Sequence, residues 1–290
     1  MKSVILSVAI VALISQSSFS QQTVRNLSYI QKPVETTKRS IAHSPRKIEN
    51  DSLYVLKEFK YKKNSGKILI QAGNVSIEGY DGSEILFSSK ILAEESDSKA
   101  EGLVMLSGNG IVDNTGLGLS VTEKNNQVEV IQVGKNNESL ILIKVPNQLA
   151  ISYNYKKSEW SNDDLCFKNI VNEVSVSRTY GNVKFENVTG PLMVNTVYGS
   201  IDAQFSKSVK GPVSIVSVYG SIDVGVQKET GAAIDFKTEW GSIYAAKDFK
   251  FDLVKTTEEK KGENINGKLN GGGFDLILQS NYGKIYLRTN

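Results

Sequence analysis

Two nearly identical hexapeptides stand 21 residues apart in this chain: YGSIDA at residues 198–203 and YGSIDV at residues 219–224. Each begins with an aromatic residue and a glycine and continues as a strand-like alternation of apolar and polar residues. The same aromatic-glycine pair recurs at Tyr180-Gly181, Tyr198-Gly199, Tyr219-Gly220, Trp240-Gly241 and Tyr282-Gly283. The glycines are 18, 21, 21 and 42 residues apart, with Lys261-Gly262 at the skipped position. A fixed period near 20 residues predicts a stacked-repeat architecture.

Strand alternation sorts these repeats into inward and outward columns. In chain order, the first inward column holds Leu165, Val183, Ile201, Ile222, Ile243 and Ile285, and the second holds Phe167, Phe185, Ala203, Val224, Ala245 and Leu287. One unit cannot bury both of its strands alone, whereas stacked units share a continuous core. We therefore expect an all-β chain with a β-solenoid body of 18–21-residue repeats. A β-sandwich is the alternative, although it does not require identical spacing between turns.

The rest of the body also reads as strands, because apolar residues alternate from residue 53 onward and Gly, Asn and Asp interrupt them at short intervals. The clearest segments lie at residues 67–71, 73–82, 84–89, 118–121, 127–133 and 139–145. One helix is expected at residues 92–106. We expect a single β-solenoid domain over residues 53–290, with an irregular half at 53–160 and regular repeats at 161–290.

The first 52 residues have a different composition. Residues 1–20 combine Lys2, an apolar run at 4–14 and a Ser-Phe-Ser cleavage site, as in a secretory signal peptide. Residues 21–52 are expected to be a flexible basic tether; residues 21–50 have six basic and two acidic side chains, a net charge of +4. We expect an exported protein of the periplasm, cell envelope or exterior, without a transmembrane segment. Because no cysteine follows the cleavage site, we do not expect a lipoprotein.

Charge and catalytic residue types narrow the function. Residues 51–290 carry 27 basic and 29 acidic residues, and their only arginines are Arg178 and Arg288, which argues against nucleic-acid binding. His43 is the only histidine and lies in the tether. Since the body offers no Ser-His, Cys-His or His-metal combination, we expect no enzyme activity, no cofactor and no metal.

The aromatic-glycine pairs have two interpretations. In the first, each glycine adopts a positive φ at a corner and the aromatic rings stack between repeats. In the second, the rings form a sugar-binding strip, which makes Tyr198, Tyr219 and Trp240 candidate ligand-binding residues, together with Tyr244 on the outward face.

Asp202 and Asp223 lie 21 residues apart and should be neighbours on the outward face. Two adjacent carboxylates could bind Ca²⁺ or act as the acid/base pair of a glycosidase. They could equally form a solvated charge ladder with Lys184, which stacks next in the same column. Both aspartates are retained as candidate binding residues.

Two further features bear on partners. Cys166, the only cysteine, falls on the outward face, where its thiol could form an intermolecular disulfide or react with oxidants unless the segment around Trp160 covers it. The strand at residues 285–287 ends three residues before the chain does, so it could be an open edge for self-association.

Several of these segments resemble secreted bacterial adhesin-like β-strand-repeat proteins, which include the auto-transporter adhesin head, or GIN, domain. The resemblance rests on IEGYDGSE at residues 77–84, IKVP at 143–146, the YGSI repeats, NGGG at 270–273 and YGKIYL at 282–287. It covers about residues 53–290 and implies a right-handed β-helix exported to the envelope. The family has no established activity, so it implies no catalytic residues.

We therefore expect an exported, non-enzymatic, adhesin-like binding or structural protein, with envelope glycans or surface proteins as partners. The alternative is a carbohydrate-active β-helix enzyme, such as a polysaccharide lyase or hydrolase. That enzyme would need clustered Asp, Lys and Arg on one outer face, and the body has few arginines.

Overall fold

The computed structural model describes residues 54–92, 98–100, 102–134, 139–155, 164–205, 208–254 and 262–290, all within one compact unit, Glu49–Asn290. The expectation of an all-β chain is confirmed: these ranges hold 21 strands and one turn of 3-10 helix, Ser98–Ala100. The strands are Tyr54–Lys62 (β1), Gly66–Gln71 (β2), Val75–Tyr80 (β3), Glu84–Leu92 (β4), Leu119–Lys124 (β5), Gln127–Gln132 (β6), Ile141–Pro146 (β7), Leu149–Tyr155 (β8), Leu165–Lys168 (β9), Val174–Tyr180 (β10), Val183–Glu186 (β11), Leu192–Tyr198 (β12), Ile201–Gln204 (β13), Val213–Ser217 (β14), Ile222–Val226 (β15), Ala232–Thr238 (β16), Ile243–Ala245 (β17), Phe251–Val254 (β18), Glu263–Leu269 (β19), Phe274–Ser280 (β20) and Ile285–Thr289 (β21).

The strands form two large mixed sheets. The ten-stranded sheet has the order β1-β4-β7-β3-β9-β11-β13-β15-β21-β17, and the eleven-stranded sheet has the order β18-β19-β16-β20-β14-β12-β10-β8-β2-β6-β5. From β8 to β17, consecutive strands alternate between the two sheets. We call two consecutive strands, one in each sheet, a rung; neighbouring rungs pair in parallel, whereas the antiparallel pairs lie toward the ends of the sheets.

The inward columns lie where the alternation places them. Ile201 pairs with Val183 on one side and with Ile222 on the other, and all three are buried. Apolar residues from both sheets belong to one core cluster, and Phe167 stacks on Phe185 within it, with ring centroids 5.0 Å apart. The inward residues of β17 are not fully buried: Ile243 is half-buried and Ala245 is exposed. The reason is that β17 is the last strand of its sheet and has a neighbour on one side only.

The order of the last rungs differs from the sequence prediction. β20 and β21 lie between β14/β15 and β16/β17, so Ile222 pairs with Ile285 rather than with Ile243. After β17 the chain forms β18 and β19, and β19 pairs antiparallel with β16. The chain then returns to insert its final rung. Gly262 therefore precedes an antiparallel strand and does not end a degenerate repeat.

This insertion also corrects the expected open edge. The strand at residues 285–287 is internal, between β15 and β17. Among the described strands, the edges of the sheets are β1 and β17 in one and β18 and β5 in the other. The chain thus buries its C-terminal strand.

The N-terminal half repeats this arrangement. β2 lies between β6 and β8, and β3 lies between β7 and β9, all in parallel register. The first rung of the body is therefore enclosed by strands from residues 127–168. At each end of the stack, one rung lies between two rungs that are distant from it in sequence: β2/β3 near the N-terminus and β20/β21 near the C-terminus.

The helix expected at residues 92–106 is wrong where the structure describes it. β4 ends at Leu92, Ser98–Ala100 is the single 3-10 turn, and Leu106 forms a β-bridge with Val112; residues 93–97 and 101 lie outside the described ranges. Gly102 has φ +75°, which a helix interior does not accept. No helix in the described part of the chain is long and apolar enough to cross a membrane.

Candidate functional site

Five aromatic rings, four of them exposed and Tyr180 half-buried, form a continuous column where the strands of consecutive rungs turn from one sheet to the other. We call this column the aromatic corner. Its order follows the rungs rather than the chain: Tyr180, Tyr198, Tyr219, Tyr282 and Trp240. Successive ring centroids are 5.3, 4.8, 4.9 and 6.5 Å apart, with interplanar angles of 2–8°. Because the rings lie parallel at this spacing, neighbouring rings cover each other's faces and present their edges outward. The exposed fraction nevertheless reaches 60% at Trp240.

A buried hydroxyl supports three of the corners in the same way, whereas at the Gly199 corner the Thr196 hydroxyl donates to the carbonyl of Gly199 itself (3.2 Å). The Ser217 hydroxyl accepts a hydrogen bond from the Gly220 N–H (2.9 Å) and donates one to the Gly199 carbonyl of the neighbouring rung (3.2 Å). Ser280 does the same for Gly283 (2.9 Å) and Gly220 (2.8 Å). Thr238 repeats the pattern at the Trp240 corner. The sequence signal is Ser or Thr three residues before the corner glycine, which the spacing of the aromatic-glycine pairs alone does not predict.

The corner glycines are required for a reason other than the expected one. A Cβ on Gly220 would stand 1.8 Å from the Gly199 carbonyl oxygen, and one on Gly241 would stand 1.9 Å from that of Gly283. Among the five corner glycines, positive φ occurs at Gly181 (90°). The expected positive φ is thus wrong for the other four, where the close approach of the next rung's backbone excludes a side chain.

Arg178 replaces the hydroxyl at the first corner. It pairs in register with Thr196 and is only 8% exposed. Its guanidinium donates to the carbonyl oxygens of Tyr180 and Asn182. One of the two body arginines therefore satisfies backbone carbonyls at a corner and does not face outward.

The second feature is the outward face of β11, β13, β15, β21 and β17, which we call the charged face. In rung order its central column holds Lys184, Asp202, Asp223, Tyr286 and Tyr244. The structure thus brings Asp202 and Asp223 together as neighbours. It places Tyr244 beside Tyr286, with ring centroids 5.4 Å apart, and separates it from Asp223 by one rung.

Both aspartates have polar partners. The Arg288 Nε lies 2.7 and 2.9 Å from the two carboxylate oxygens of Asp223, and the guanidinium carbon lies 5.2 Å from the Tyr286 ring centroid. The hydrogen bond to Asp223 raises the pKa of Arg288 above its usual value. Asp202 accepts a 2.6 Å hydrogen bond from the Gln204 side-chain amide. Arg288 therefore compensates the charge of Asp223, whereas Gln204 gives Asp202 a hydrogen bond but no opposite charge.

A second ion-pair cluster lies on the same face. The Glu186 carboxylate contacts the Lys184 ammonium at 2.7 Å and that of Lys168 at 3.1 Å. Hydrogen bonds from these two lysines lower the pKa of Glu186. The charged face thus carries two sets of ion pairs, Lys168–Glu186–Lys184 at one position and Arg288–Asp223 at another, as in a charge ladder.

A shallow groove of about 500 Å³ runs along this face. One side is the central column, and the other is a polar column of Asn182, Ser200 and Ser221. These side chains link rungs: Asn182 Oδ1 accepts from the Ser200 N–H (3.0 Å), and the Ser200 hydroxyl accepts from the Ser221 N–H (3.3 Å). Each lies two residues after an aromatic of the corner, so the groove is bordered by the aromatic corner.

Cys166 lies at one end of the groove and is half-buried. Burial raises the pKa of its thiol, against the opposite effect of the Lys168 charge. The thiolate that would react with oxidants or disulfides is therefore a minor form at neutral pH. Trp160, the residue expected to cover it, lies outside the described residues, as does His43. Within the ranges that the structure describes, no three His, Cys, Asp or Glu side chains form a metal-binding group.

No protein-family model and no curated protein matches the chain. Several solved structures resemble the chain, and three of them are described below. A candidate cell adhesion protein from Clostridium sporogenes is 14% identical with a TM-score of 0.42, covering 81% of this chain and 100% of that one. A candidate adhesin from Bacteroides fragilis (12%, 0.40) and a candidate lipid-binding protein from Parabacteroides distasonis (11%, 0.34) each cover 82% of this chain and 97% of their own. At these identities and TM-scores, the resemblances assign neither a family nor a ligand to the chain.

Proposed function

We propose that this chain is an exported, non-enzymatic, adhesin-like protein of the GIN type that binds envelope glycans or surface proteins. The binding surface is the groove between the aromatic corner and the charged face. The observation that supports it is the register of outward columns: the aromatic corner and the central column each run over five rungs, a length of about 19 Å at the usual strand spacing, and a polar column of three residues lies beside them. The core is inside the sheets, so these outward groups are available to a ligand.

We further propose that the body is a right-handed β-helix. Its support is the alternation of consecutive strands between two sheets, with parallel pairing between rungs. Connections between parallel strands of one sheet are right-handed in nearly all proteins. Residues 1–20 as signal peptide, 21–52 as tether and 53–290 as one domain complete this proposal, together with a location in the periplasm, envelope or exterior.

The chemistry of the groove suits a polyhydroxylated ligand. Asp202 and Asp223 can accept hydrogen bonds from ligand hydroxyls, and Arg288 can donate to them. Tyr286 lines one end of the groove, and Tyr244 stacks beside it on the next strand, which extends the aromatic surface there. Tyr198 and Tyr219 contribute ring edges and hydroxyls along the border, because neighbouring rings occupy their faces; Trp240, the last ring of the column, stacks on Tyr282 and keeps its other face outward.

The test compares two triple variants on glycan arrays and in envelope pull-downs. Asp202→Asn with Asp223→Asn and Tyr244→Ala removes charge and aromatic surface from the groove. Ser175→Ala with Met193→Ser and Ser214→Ala is the control on the outward face of β10, β12 and β14. We expect the wild type and the control to retain the same ligands and the groove variant to lose at least about tenfold in affinity. Equal binding by all three proteins, or no binding by the wild type, would contradict the proposal.

The enzyme alternative needs a free acid/base pair. Asp223 is engaged by Arg288 and Asp202 by Gln204, so both carboxylates already have hydrogen-bond partners within the protein. Product formation from acidic polysaccharides with added Ca²⁺, abolished in Asp202→Asn/Asp223→Asn, would replace the binding proposal with the enzyme.

Self-association stays a prediction. Because the strand at residues 285–287 is internal, we propose β18 as the surface for it. This strand is an edge of the eleven-stranded sheet, and Phe251, Leu253 and Val254 on it are exposed. A strand edge with exposed apolar residues favours pairing with another chain. Light scattering of the wild type and of Leu253→Lys should show any oligomer disappear in the variant.

A further inference from the structure

The most exposed apolar segment of the described chain is the hairpin at residues 102–112, between β4 and β5. Its sequence, GLVMLSGNGIV, contains six large apolar residues and no charged one. Leu103, Val104, Met105 and Leu106 are consecutive and expose 72, 63, 50 and 68% of their surfaces. Isolated exposed apolar residues are ordinary, but a contiguous patch marks an interaction site.

The hairpin has a defined backbone structure. The Ser107 N–H donates to the Ile111 carbonyl (2.9 Å), the Gly110 N–H to the Ser107 carbonyl (3.0 Å), and the Asp113 N–H to the Met105 carbonyl (3.0 Å). These bonds satisfy part of the polar backbone internally, which lowers the cost of moving the segment into an apolar environment.

A rigid loop anchors the base of the hairpin. The buried Asp113 carboxylate accepts hydrogen bonds from the N–H groups of Thr115 (2.8 Å), Gly116 (3.0 Å) and Gly118 (2.9 Å). At the other extreme, a Cβ placed on Gly108 or Gly110 would meet no atom within 4 Å. The tip of the hairpin therefore projects into open space from a fixed base, with Met105 lying beside Gly134 of the body.

The pattern of exposure identifies the kind of partner. Each of the four consecutive side chains at 103–106 exposes half or more of its surface, so both sides of the segment are open to solvent. A protein surface would cover one side and leave the other in water. The interfacial region of a lipid bilayer surrounds both sides, and the absence of charge at 102–112 leaves no ionised group to desolvate.

We propose that the hairpin at residues 102–112 inserts into the interfacial region of a lipid bilayer and holds the protein at a membrane surface. This contact is separate from the groove: it uses residues of the irregular half and requires no glycan or protein ligand. The depth is that of an interfacial anchor, because the segment is far too short to span the bilayer.

Vesicle co-sedimentation of the mature chain tests this proposal. The vesicles contain phosphatidylcholine alone or with phosphatidylglycerol, at low and high salt. The variant is Leu103→Ser/Val104→Ser/Leu106→Ser, and the control is Leu140→Ser/Val171→Ser/Met193→Ser, three exposed apolar residues elsewhere. We expect the hairpin variant to lose at least about tenfold in partition coefficient, and the control to stay within about twofold of the wild type.

A spectroscopic measurement locates the contact. Val104→Trp should shift its tryptophan emission to shorter wavelength when vesicles are added, whereas Met193→Trp should not. Two results would overturn the proposal: equal sedimentation of the wild type and the hairpin variant, which includes binding by the basic tether alone, or an emission spectrum of Val104→Trp that vesicles leave unchanged. Circular dichroism of each variant confirms that it has folded.

Discussion

The middle of the stack and its two ends obey different rules. From β8 to β15, rungs are stacked in the order in which the chain forms them. At the ends, the rungs β2/β3 and β20/β21 are inserted between rungs that are distant from them in sequence. The comparison shows that the 18–21-residue repeat of the sequence determines the strands of each rung but does not determine which rungs lie next to each other.

We expect the largest effect from removing the inserted C-terminal strand. Deleting residues 284–290 removes Ile285 and Leu287, both fully buried, from between β15 and β17. The loss should exceed about 5 kcal/mol and leave the body largely unfolded. Circular dichroism and urea unfolding measure it. A small fall in stability would instead indicate that residues 285–287 form a dispensable edge, as the chain order had predicted.

The next largest effect is a difference in stability between two corner-glycine variants, one in the interior of the stack and one at its last rung. Gly220→Ala forces a methyl group against a carbonyl held between two rungs and should cost about 3 kcal/mol of unfolding free energy. Gly241→Ala makes a similar contact at the last rung, where β17 can shift, and should cost about 1 kcal/mol.

Gly108→Ala is the matched control for these two variants, because no atom lies near the added methyl group; urea unfolding should show it within about 0.5 kcal/mol of the wild type. Equal losses at Gly220 and Gly241 would mean that the last rung is as rigid as the interior.

The smallest effect concerns the charge ladder in the middle of the stack. The pKa of Glu186 is lower in the folded protein than in the unfolded chain, so its contribution to stability is present above the unfolded pKa and is lost as the pH falls through the folded pKa. Glu186→Gln should therefore flatten the fall in stability between about pH 5 and 3. Because Glu186 is only half-buried, the effect should be small and weaker in high salt. Thermal unfolding across this pH range checks it against Glu239→Gln.

The sequence predicted the strands and their buried faces because alternation is local. It could not predict the order of the last rungs. The inward position is isoleucine in all three rungs, at Ile222, Ile243 and Ile285, so each of these strands could pack beside either of the others. The pairing of Ile222 with Ile285 depends on the excursion through β18 and β19, whose antiparallel return has no periodic signature.

The candidate site shows the same division. The adjacency of Asp202 and Asp223 follows from their common position in consecutive units, and the structure has it. Arg288 was missed as the partner of Asp223, because in chain order it would lie two rungs away. The apolar hairpin at 102–112 was missed because its Leu and Met residues also suit a helix, and only the Gly102 and Gly108–Gly110 positions argue against one.

The most direct test of the rung order uses paired cysteines in a Cys166→Ser background. Asp223→Cys with Tyr286→Cys places two thiols on neighbouring strands in register, whereas Asp223→Cys with Tyr244→Cys places them two strands apart. A disulfide requires Cα atoms within about 7 Å, so only the first pair should form an intramolecular disulfide under mild oxidation, as read by thiol counting and mass spectrometry. Formation by the second pair and not the first would contradict the inserted rung.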